Sequence, residues 1–494
     1  MLRLLSLLIF FAKIQKKIIL FFCLFRFFFV PLRIITKAHF NIMSKEIRIK
    51  RGFTIRIKGE ADKSLMSSTF RIDSYAVKPT DFYGVRPKLL VEEGTAVKAG
   101  TPLFFDKADE RIKITSPVSG VVSAIVRGEK RVIEEIRIIP DEKIERITFG
   151  KEIPSELTCC QIRTKLLESG LWACIRMRPY NVIANPDDLP KMIVVSAFDT
   201  APMAPDYDFV VHGQQQYFQA GLDALAKLTD GKVHLNTHKD LTHDDVFLSA
   251  KNVEKNTFLG KHPTGNVGIQ IHHLDPINKG ETVWFVNPQH VIIIGRLFLE
   301  GHLDMTKIVP LAGSELKRTG YHKIIAGACI QSLVENNLID DTTPRYISGN
   351  VLTGKKISHD GYLGFYDHLI SVIPEGDYYE FMGWGMPGLE KFSFFRSFFS
   401  WMLPDKKYVI DTNYHGGHRT LIFTGQYEKV LPMDILPMQL IKACIIEDVE
   451  AMEALGIYEV DAEDFALCEF IDPSKTEIQD IIRKGMDLVK QEMS

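Results

Sequence analysis

The residues best placed to do chemistry in this chain are its histidines, which gather as His234/His238/His243, His272-His273 and His415/His418. Two histidines four apart on one helix face can hold a metal ion. Val233-His234-Leu235 reads as strand, however, where residues four apart stand ~13 Å from each other. No third ligand falls at a recognised zinc spacing, so structural or surface histidines are expected and no metal site is assigned. Cys159, Cys160, Cys174, Cys329, Cys444 and Cys468 show no C-x-x-C spacing, which suggests neither zinc nor an iron–sulfur cluster and leaves reduced, buried thiols as the expectation. His262-Pro263-Thr264-Gly265-Asn266-Val267-Gly268-Ile269-Gln270-Ile271-His272 reads as a glycine-bearing loop before a strand; its glycines suit a phosphate or a plain tight turn equally. Catalytic residues stay unknown: no general acid or base can be nominated.

The elements that must position these groups change character along the chain. Ile47–Lys50 and Thr54–Lys58 alternate apolar and polar residues as half-buried strands do. Leu89–Leu103 carries two glycine turns, Gly94 and Gly100, and Ser116-Pro117 opens into a further strand. Residues 43–150 thus resemble a biotinyl/lipoyl barrel-sandwich unit. Within it, Asp106-Lys107-Ala108 matches the hairpin tip whose lysine carries lipoate in acyltransferases, although Pro117 lies further from the lysine than in lipoyl domains. The charges Asp106, Lys107, Asp109, Glu110 and Arg111 read equally as a solvated hairpin. Residues 151–300 switch to alternation of helix (Cys160–Gly170, Gln215–Leu228) and strand (Met192–Ala197, Lys232–Leu235, Thr282–Val286, Val291–Ile294), a Rossmann-like parallel α/β domain. Residues 301–430 read as a small β-grasp-like α+β module with one helix, Ile325–Glu335. In residues 431–494 the spacing of Leu440, Ile441, Cys444, Ile445, Val449 and Met452 predicts a helical C-terminal domain. Phe381–Met402 concentrates aromatic residues, interleaved with Lys391 and Arg396, as a membrane-side or partner surface would, or a core helix.

One end of the chain stands apart. Residues 1–42 hold seven basic residues, no acid, no glycine and nine of the 32 phenylalanines. Lys13, Lys16, Lys17 and Arg26 interrupt the apolar stretches, so no run reaches the ~18 residues of a membrane span, and no small-residue cleavage site follows. A misplaced start codon, with initiation at Met43, is the expectation. The whole chain has 494 residues, 60 basic and 62 acidic; without the leader, 53 basic residues face 62 acidic ones, a net charge of −9. That acidity argues against nucleic acid as a partner.

A further set of motifs runs from Met43 to the C-terminus: Ile47-Arg48-Ile49-Lys50-Arg51-Gly52, Gly170-Leu171-Trp172 with Arg176-x-Arg178-Pro179, His262–Gly265 through His272-His273-Leu274-Asp275-Pro276, Gly383-Trp384-x-Met386-Pro387-Gly388, Gly425-x-Tyr427-Glu428-x-Val430-x-Pro432–Pro437, and Glu463-Asp464-x-Ala466-Leu467-Cys468-Glu469-Phe470. Together they resemble one family, the NqrA subunits of the Na+-translocating NADH:quinone reductases.

The resemblance implies a peripheral subunit on the cytoplasmic face of the bacterial inner membrane, in a six-subunit complex that oxidises NADH, reduces quinone and exports Na+. It implies contact with the membrane partner NqrB and the other Nqr subunits, a link to quinone, membrane contact only through partners, and no catalysis by this chain alone. NADH, FAD, FMN, Fe–S and riboflavin would reside in partner subunits. The family is distantly similar to the flavin-bearing subunit of respiratory complex I and to the RnfC protein of the Rnf complex, which hold FMN and NADH with a glycine-rich loop. At the equivalent point this chain reads Gly170-Leu171-Trp172-Ala173-Cys174-Ile175-Arg176-Met177-Arg178, with bulky residues in the nucleotide's space. Cys468 is alone, and Asp472 stands where many members have a second cysteine. The expectation is a redox scaffold with no FMN, NADH or cluster of its own. Two other functions compete: a lipoyl- or biotin-dependent carrier or acyltransferase component modified at Lys107, and a soluble flavin or NAD dehydrogenase.

Overall fold

The computed structural model describes residues 45–66, 71–339, 343–378, 380–383, 385, 388–415, 417–422 and 425–493, so the expectation for residues 1–42 lies outside the described residues. The first strand, β1 (Lys45–Arg48), departs from the sequence expectation. It does not pair with the N-terminal β unit but edges a seven-stranded sheet, where Ile49 N donates to Leu259 O at 2.8 Å. Residues 54–58 likewise form no strand; Ile57 makes a single bridge to Tyr408. Alternation records that these side chains are half-buried, not which sheet buries them. The β unit proper contains β2 (Tyr75–Val77), β3 (Pro87–Leu89), β4 (Ala96–Val97), β5 (Pro102–Asp106), β6 (Lys113–Thr115), β7 (Gly120–Arg127) and β8 (Ile133–Pro140), in two sheets ordered β2-β8-β7-β4 and β3-β5-β6. Gly94 and Gly100 reverse the chain with φ of 85° and 100°, a region glycine enters without steric cost. Leu103, Phe104, Val122, Ile136 and Ile138 are fully buried.

The seven-stranded sheet adds β9 (Arg176–Arg178), β10 (Val182–Ile183), β11 (Met192–Ser196), β12 (Lys232–His238), β13 (Glu254–Leu259) and β14 (Val283–Phe285), in the order β1-β13-β12-β11-β14-β9-β10. β11 runs parallel to both β12 and β14, β12 parallel to β13, and β9 antiparallel to β14. All five residues of β11 are buried, as expected of a strand covered on both faces. Two predicted strands are helices instead. Val291–Ile294 lies inside the helix Pro288–Glu300, whose start is set by Asn287 accepting from Gln289 N and by Pro288 in the first turn, and whose end is set by Gly301 at φ 75°. This helix buries ten of its 13 residues, so its sequence lacks the polar face that distinguishes a helix from a buried strand. It crosses the helix Gln215–Ala226 closely enough that a Cβ on Gly295 would meet Tyr217 O at 1.8 Å. The glycine-bearing loop expected over His262–His272 likewise runs into a helix, Val267–Leu274, and not into a strand.

The third region is a five-stranded sheet of β15 (Thr306–Ala312), β16 (Gly320–Ile325), β17 (Pro344–Ser348), β18 (Lys355–Ile357) and β19 (Ile370–Pro374), ordered β16-β15-β19-β17-β18. The predicted helix Ile325–Glu335 shrinks to one turn, Gln331–Val334, because Ile325 ends β16 and Gly327 turns the chain at φ 76°. Four helices, Pro437–Ile445, Val449–Ala454, Ala466–Ile471 and Ile478–Met493, follow. Leu440, Ile441, Cys444 and Met452 share their core, whereas Ile445 is exposed. Among its described residues the aromatic-rich stretch forms no core helix, and its one helical turn is the 3-10 segment Phe399–Met402. Phe392 and Phe394 pack on Phe53 with centroids at 5.6 and 5.1 Å. Phe381 and Trp401 are 75% and 53% exposed. Trp384, Met386 and Pro387 of this stretch lie outside the described residues.

Candidate functional site

The parallel strands fix where a site can form. From β11 the chain leads to β12 on one side, and it returns later to β14 on the other side. Connections that leave a strand in opposite directions part at its carboxyl end and open a crevice there. A cleft of about 440 Å3 lies at that point, within the range of small-molecule sites. Ser196 at the end of β11 and Phe285 at the end of β14 line it, together with His262 and Gly265 from the loop after β13. Tyr366, Asp367 and His368, from the segment before β19, face it, as do Glu463 and Arg483 from the C-terminal helical region.

Arg176 on β9 sets the character of the wall. Its guanidinium lies 4.5 Å from the Phe285 centroid and 4.3 Å from that of Tyr366, and Nη1 donates to Asn181 Oδ1 at 3.2 Å. A planar cation is attracted by the negative faces of aromatic rings, so the two rings form a flat-sided slot around it. Asp199, half-buried in the loop after β11, accepts from Ala201 N at 2.8 Å, and desolvation raises its carboxyl above the ordinary range.

Two histidines in the cleft lining are each held through Nδ1. Thr200 Oγ1 accepts from Gly265 N at 2.8 Å and lies 3.2 Å from His262 Nδ1. A hydroxyl has two lone pairs beside its one proton, so Thr200 can serve Nδ1 as donor or as acceptor while still accepting from Gly265 N. Gln289 is locked by β15: Ile308 N donates to its Oε1 at 2.8 Å, and its Nε2 donates to Ile308 O at 3.1 Å. The remaining amide proton points to His368 Nδ1 at 3.3 Å, which leaves Nε2 protonated. Burial keeps both rings neutral, lowering His262 to about 4 and His368 well below its ordinary value. Among the described residues lining the cleft, His262 Nε2 and His368 Nε2 are the buried side-chain polar atoms with no hydrogen-bond partner.

Beside the cleft, Arg178 is almost wholly buried and meets Asp461 at 3.1 Å, Asp464 at 3.9 Å and Glu463. Burial works against its charge, and the three carboxylates outweigh it. Asp464 itself is pushed up to about 8, first by burial. Its carboxyl stands against the start of the helix Val267–Leu274, where a Cβ on Gly268 would meet Asp464 Oδ2 at 2.3 Å. The Leu171–Cys174 turn is also buried. Trp172 donates from Nε1 to Ala184 O at 2.7 Å and packs edge-on against Trp284 at 5.5 Å.

The other histidines singled out in the sequence do not converge. His238 accepts at Nδ1 from Asp240 N and reaches Gly260 O through Nε2. His272 meets Glu459 at 2.7 Å through Nδ1 and accepts from Asp434 N at Nε2. His234 neighbours Asn256, His243 the Asp240 carbonyl, His273 the Ile269 carbonyl, His415 Glu380, and His418 the Lys475 carbonyl. Among the described residues no group of three or more His, Cys, Asp or Glu side chains stands where it could hold a metal ion. Cys174, Cys329, Cys444 and Cys468 are buried, whereas Cys160 is exposed, contrary to the expectation of buried thiols, because it begins the helix Cys159–Glu168 on its outer side. Asp472 accepts from Ser474 N and Thr476 N. Lys107 is exposed in the β5–β6 turn, with its backbone N bound to Arg86 O at 2.9 Å. His368 has no signal in the sequence, since its partner Gln289 is 79 residues away. His262 is visible there only as part of a glycine-bearing loop.

Comparison with known proteins gives this architecture a family. Residues 47–141 match the NqrA N-terminal barrel-sandwich hybrid domain, residues 157–303 the NqrA second alpha/beta domain, and residues 308–359 the NQRA C-terminal domain. The NqrA component of the Na(+)-translocating NADH-quinone reductase of Neisseria meningitidis serogroup B is 36% identical over 450 residues, covering 90% of this chain and all of that protein. The corresponding protein of Tolumonas auensis is 38% identical over 453 residues, again 90% of this chain and all of the relative. A solved NAD+-reducing [NiFe]-hydrogenase in the air-oxidized state is 12% identical at a TM-score of 0.29, over 37% of this chain and 40% of its own. Among the described residues no helix is long and apolar enough to cross a membrane. On the strength of the family matches and of relatives covered from end to end, the chain belongs to the NqrA family of Na(+)-translocating NADH-quinone reductase subunits.

Proposed function

We propose that this chain is the peripheral NqrA component of a complex on the cytoplasmic face of the bacterial inner membrane, one that couples electron transfer from NADH to quinone with Na+ export. Within it, the chain binds the quinone headgroup in the β11/β14 cleft and carries no FMN, NADH or iron–sulfur cluster. The observation that supports quinone over nucleotide is the pairing of an open, aromatic-walled cleft with occupied phosphate positions. A nucleotide needs backbone N–H groups free at a glycine-rich turn or a helix start. Here Trp172 and its neighbours pack the turn, and Asp464 stands at the helix start. A quinone needs apolar walls and a few hydrogen-bonding groups, which Phe285, Tyr366 and polar lining residues such as Asn266 and Asn287 supply. The proposed scaffold is a Rossmann-like domain (residues 151–300) between the β unit (43–150) and a β-grasp-like module (301–430), closed by a helical domain (431–494).

Docking on NqrB, the membrane partner, is assigned to the exposed face of Phe381–Met402, which carries Phe381, Trp401 and Met402 beside Arg396. Arg396→Glu is expected to release this chain from the purified complex, and unchanged copurification would remove that assignment. The central test is equilibrium binding to the purified full chain. A soluble benzoquinone should bind while FMN and NADH do not; flavin absorbance in the purified chain or saturable NADH binding would favour a dehydrogenase instead.

A further inference from the structure

Two arginines stand two residues apart on β9, a spacing that puts them on one face of the strand, and the chain treats them differently. Arg178 is buried against Asp461, Glu463 and Asp464. Arg176 meets no carboxylate among the described residues, and its one side-chain hydrogen bond runs from Nη1 to Asn181 Oδ1 at 3.2 Å. Its Nε and Nη2 are neither hydrogen-bonded nor closed to solvent. Asn181, Phe285 and Tyr366, the groups around that guanidinium, all line the cleft, as Arg176 itself does. The free edge therefore opens on the cleft. Stacking on rings uses the face of a guanidinium, whereas its hydrogen bonds leave from the edge, in a fork that matches an oxyanion. Packing explains the two rings but not the missing counter-charge. The other cations lining the cleft are already answered: Arg483 meets Asp487 at 2.5 Å and Asp461 at 3.7 Å, and Lys355 meets Asp81 at 3.6 Å. Lining carboxylates are committed in turn, Asp461 and Glu463 to Arg178 and Asp480 to Lys484.

We propose that Arg176 reads the charge of the cleft's occupant: its free edge donates to one oxygen of the quinone headgroup and prefers that oxygen as an anion. The inference rests on the quinone reading above and deepens it by naming the group that recognises the headgroup and the ligand class it favours, acidic quinones over neutral ones. A quinone oxygen gains negative charge when its ring is reduced, and a fixed cation at that point favours the charged form. Arg176 is thus a specificity-determining residue.

The test compares two probes of nearly equal shape on the purified full chain, 2-hydroxy-1,4-naphthoquinone, ionised at neutral pH, and the neutral 2-methoxy-1,4-naphthoquinone. The wild-type chain should bind the anion about tenfold more tightly, the worth of a charged hydrogen bond at the low end of its range. Arg176→Gln keeps a planar amide donor but no charge, and should bring the two affinities within about threefold. Arg176→Lys returns the charge without the fork and should restore part of the preference; a Lys variant no different from the Gln variant overturns the role of charge. Equal affinities in the wild type, or a preference that persists in Arg176→Gln, overturn this proposal while leaving the quinone reading intact. Binding of neither probe to the wild type overturns both. Phenylglyoxal, which modifies free guanidinium groups, supplies a measurement that needs no variant. Peptide mass mapping of the wild-type chain should find Arg176 modified without ligand and protected by the hydroxyquinone. An unreactive Arg176, or one that the hydroxyquinone does not protect, overturns the proposal even if the Gln variant fails to fold.

Discussion

Two sets of buried polar groups in the same cleft region have opposite fates. Around Arg178 the chain answers its own charge: Asp461, Glu463 and Asp464 come from the C-terminal helical region to meet one guanidinium on β9. Along the lining of the cleft, His262 and His368 each satisfy one ring nitrogen and leave the other empty. The first arrangement binds parts of the chain to each other through ion pairs, although Arg178 Nε and Nη1 and Asp464 Oδ1 have no hydrogen-bond partner. The second holds each ring by one nitrogen and buries the other. His238 and His272, with both nitrogens engaged, show what a structural histidine in this protein looks like.

The largest effect should follow from opening the closed cluster. Arg178→Met leaves the buried Asp461 and the partly exposed Glu463 without their cation, beside a protonated Asp464, and breaking a buried pair in this way costs about 3–5 kcal/mol. Urea denaturation at neutral pH should show that loss; a change under about 1 kcal/mol would mean the carboxylates are neutral or wetter than their burial implies. The second effect concerns pH. An aspartate titrates near 3.9 in an unfolded chain, and Asp464 at about 8 in the fold. Between those values the native state keeps a proton that the unfolded chain has released. Stability from this group is thus present at low pH and falls as pH rises through that window. Asp464→Asn should flatten the fall, so the variant gains on the wild type between about pH 5 and 8; parallel curves would place the proton elsewhere in the cluster.

The contrast also separates what the sequence can reveal from what it cannot. Glycine turns at Gly94 and Gly100, the parallel strand Met192–Ser196 and the helix ending before Gly170 are legible because each is set by residues next to one another. Val291–Ile294 is not, because a helix buried on nearly every side has no polar stripe to betray its period. Ile47–Lys50 reads correctly as half-buried yet points to the wrong sheet, since its partner β13 lies some two hundred residues on. The site suffers most from this limit. Arg178 and Glu463-Asp464 are each visible inside a motif, but nothing links them across 285 residues. The His368 tautomer depends on an amide locked by the backbone of a third segment.

Smaller effects are expected where the chain leaves groups unpaired. His262→Phe and His368→Phe remove a ring nitrogen that has no partner, so each should alter unfolding free energy by less than about 1 kcal/mol, in either direction. That is the reverse of Arg178→Met, and the two results together test the comparison. A loss of about 3 kcal/mol from either Phe variant would show that the rings hold the fold through contacts their nitrogens do not record.

The smallest effect belongs to Lys107, where the competing carrier reading makes its own demand. A lysine that carries lipoate or biotin has to be presented at a hairpin tip and recognised by the enzyme that modifies it. Lys107 is exposed in the β5–β6 turn, but the turn is tied down: its backbone N donates to Arg86 O, Asp106 accepts from Arg86 N and Ala108 N, and Arg111 bridges Asp109 and Asp187 at 2.7 and 2.6 Å. These bonds use every charged neighbour of the lysine except Glu110 for holding the hairpin against the body of the protein. Lys107→Ala should change stability by less than about 0.5 kcal/mol, as exposed substitutions usually do, and should leave quinone binding where it was. The intact mass of the wild-type chain should match its unmodified sequence. An added lipoyl or biotinyl mass on Lys107 would move the functional centre from the cleft to the β unit.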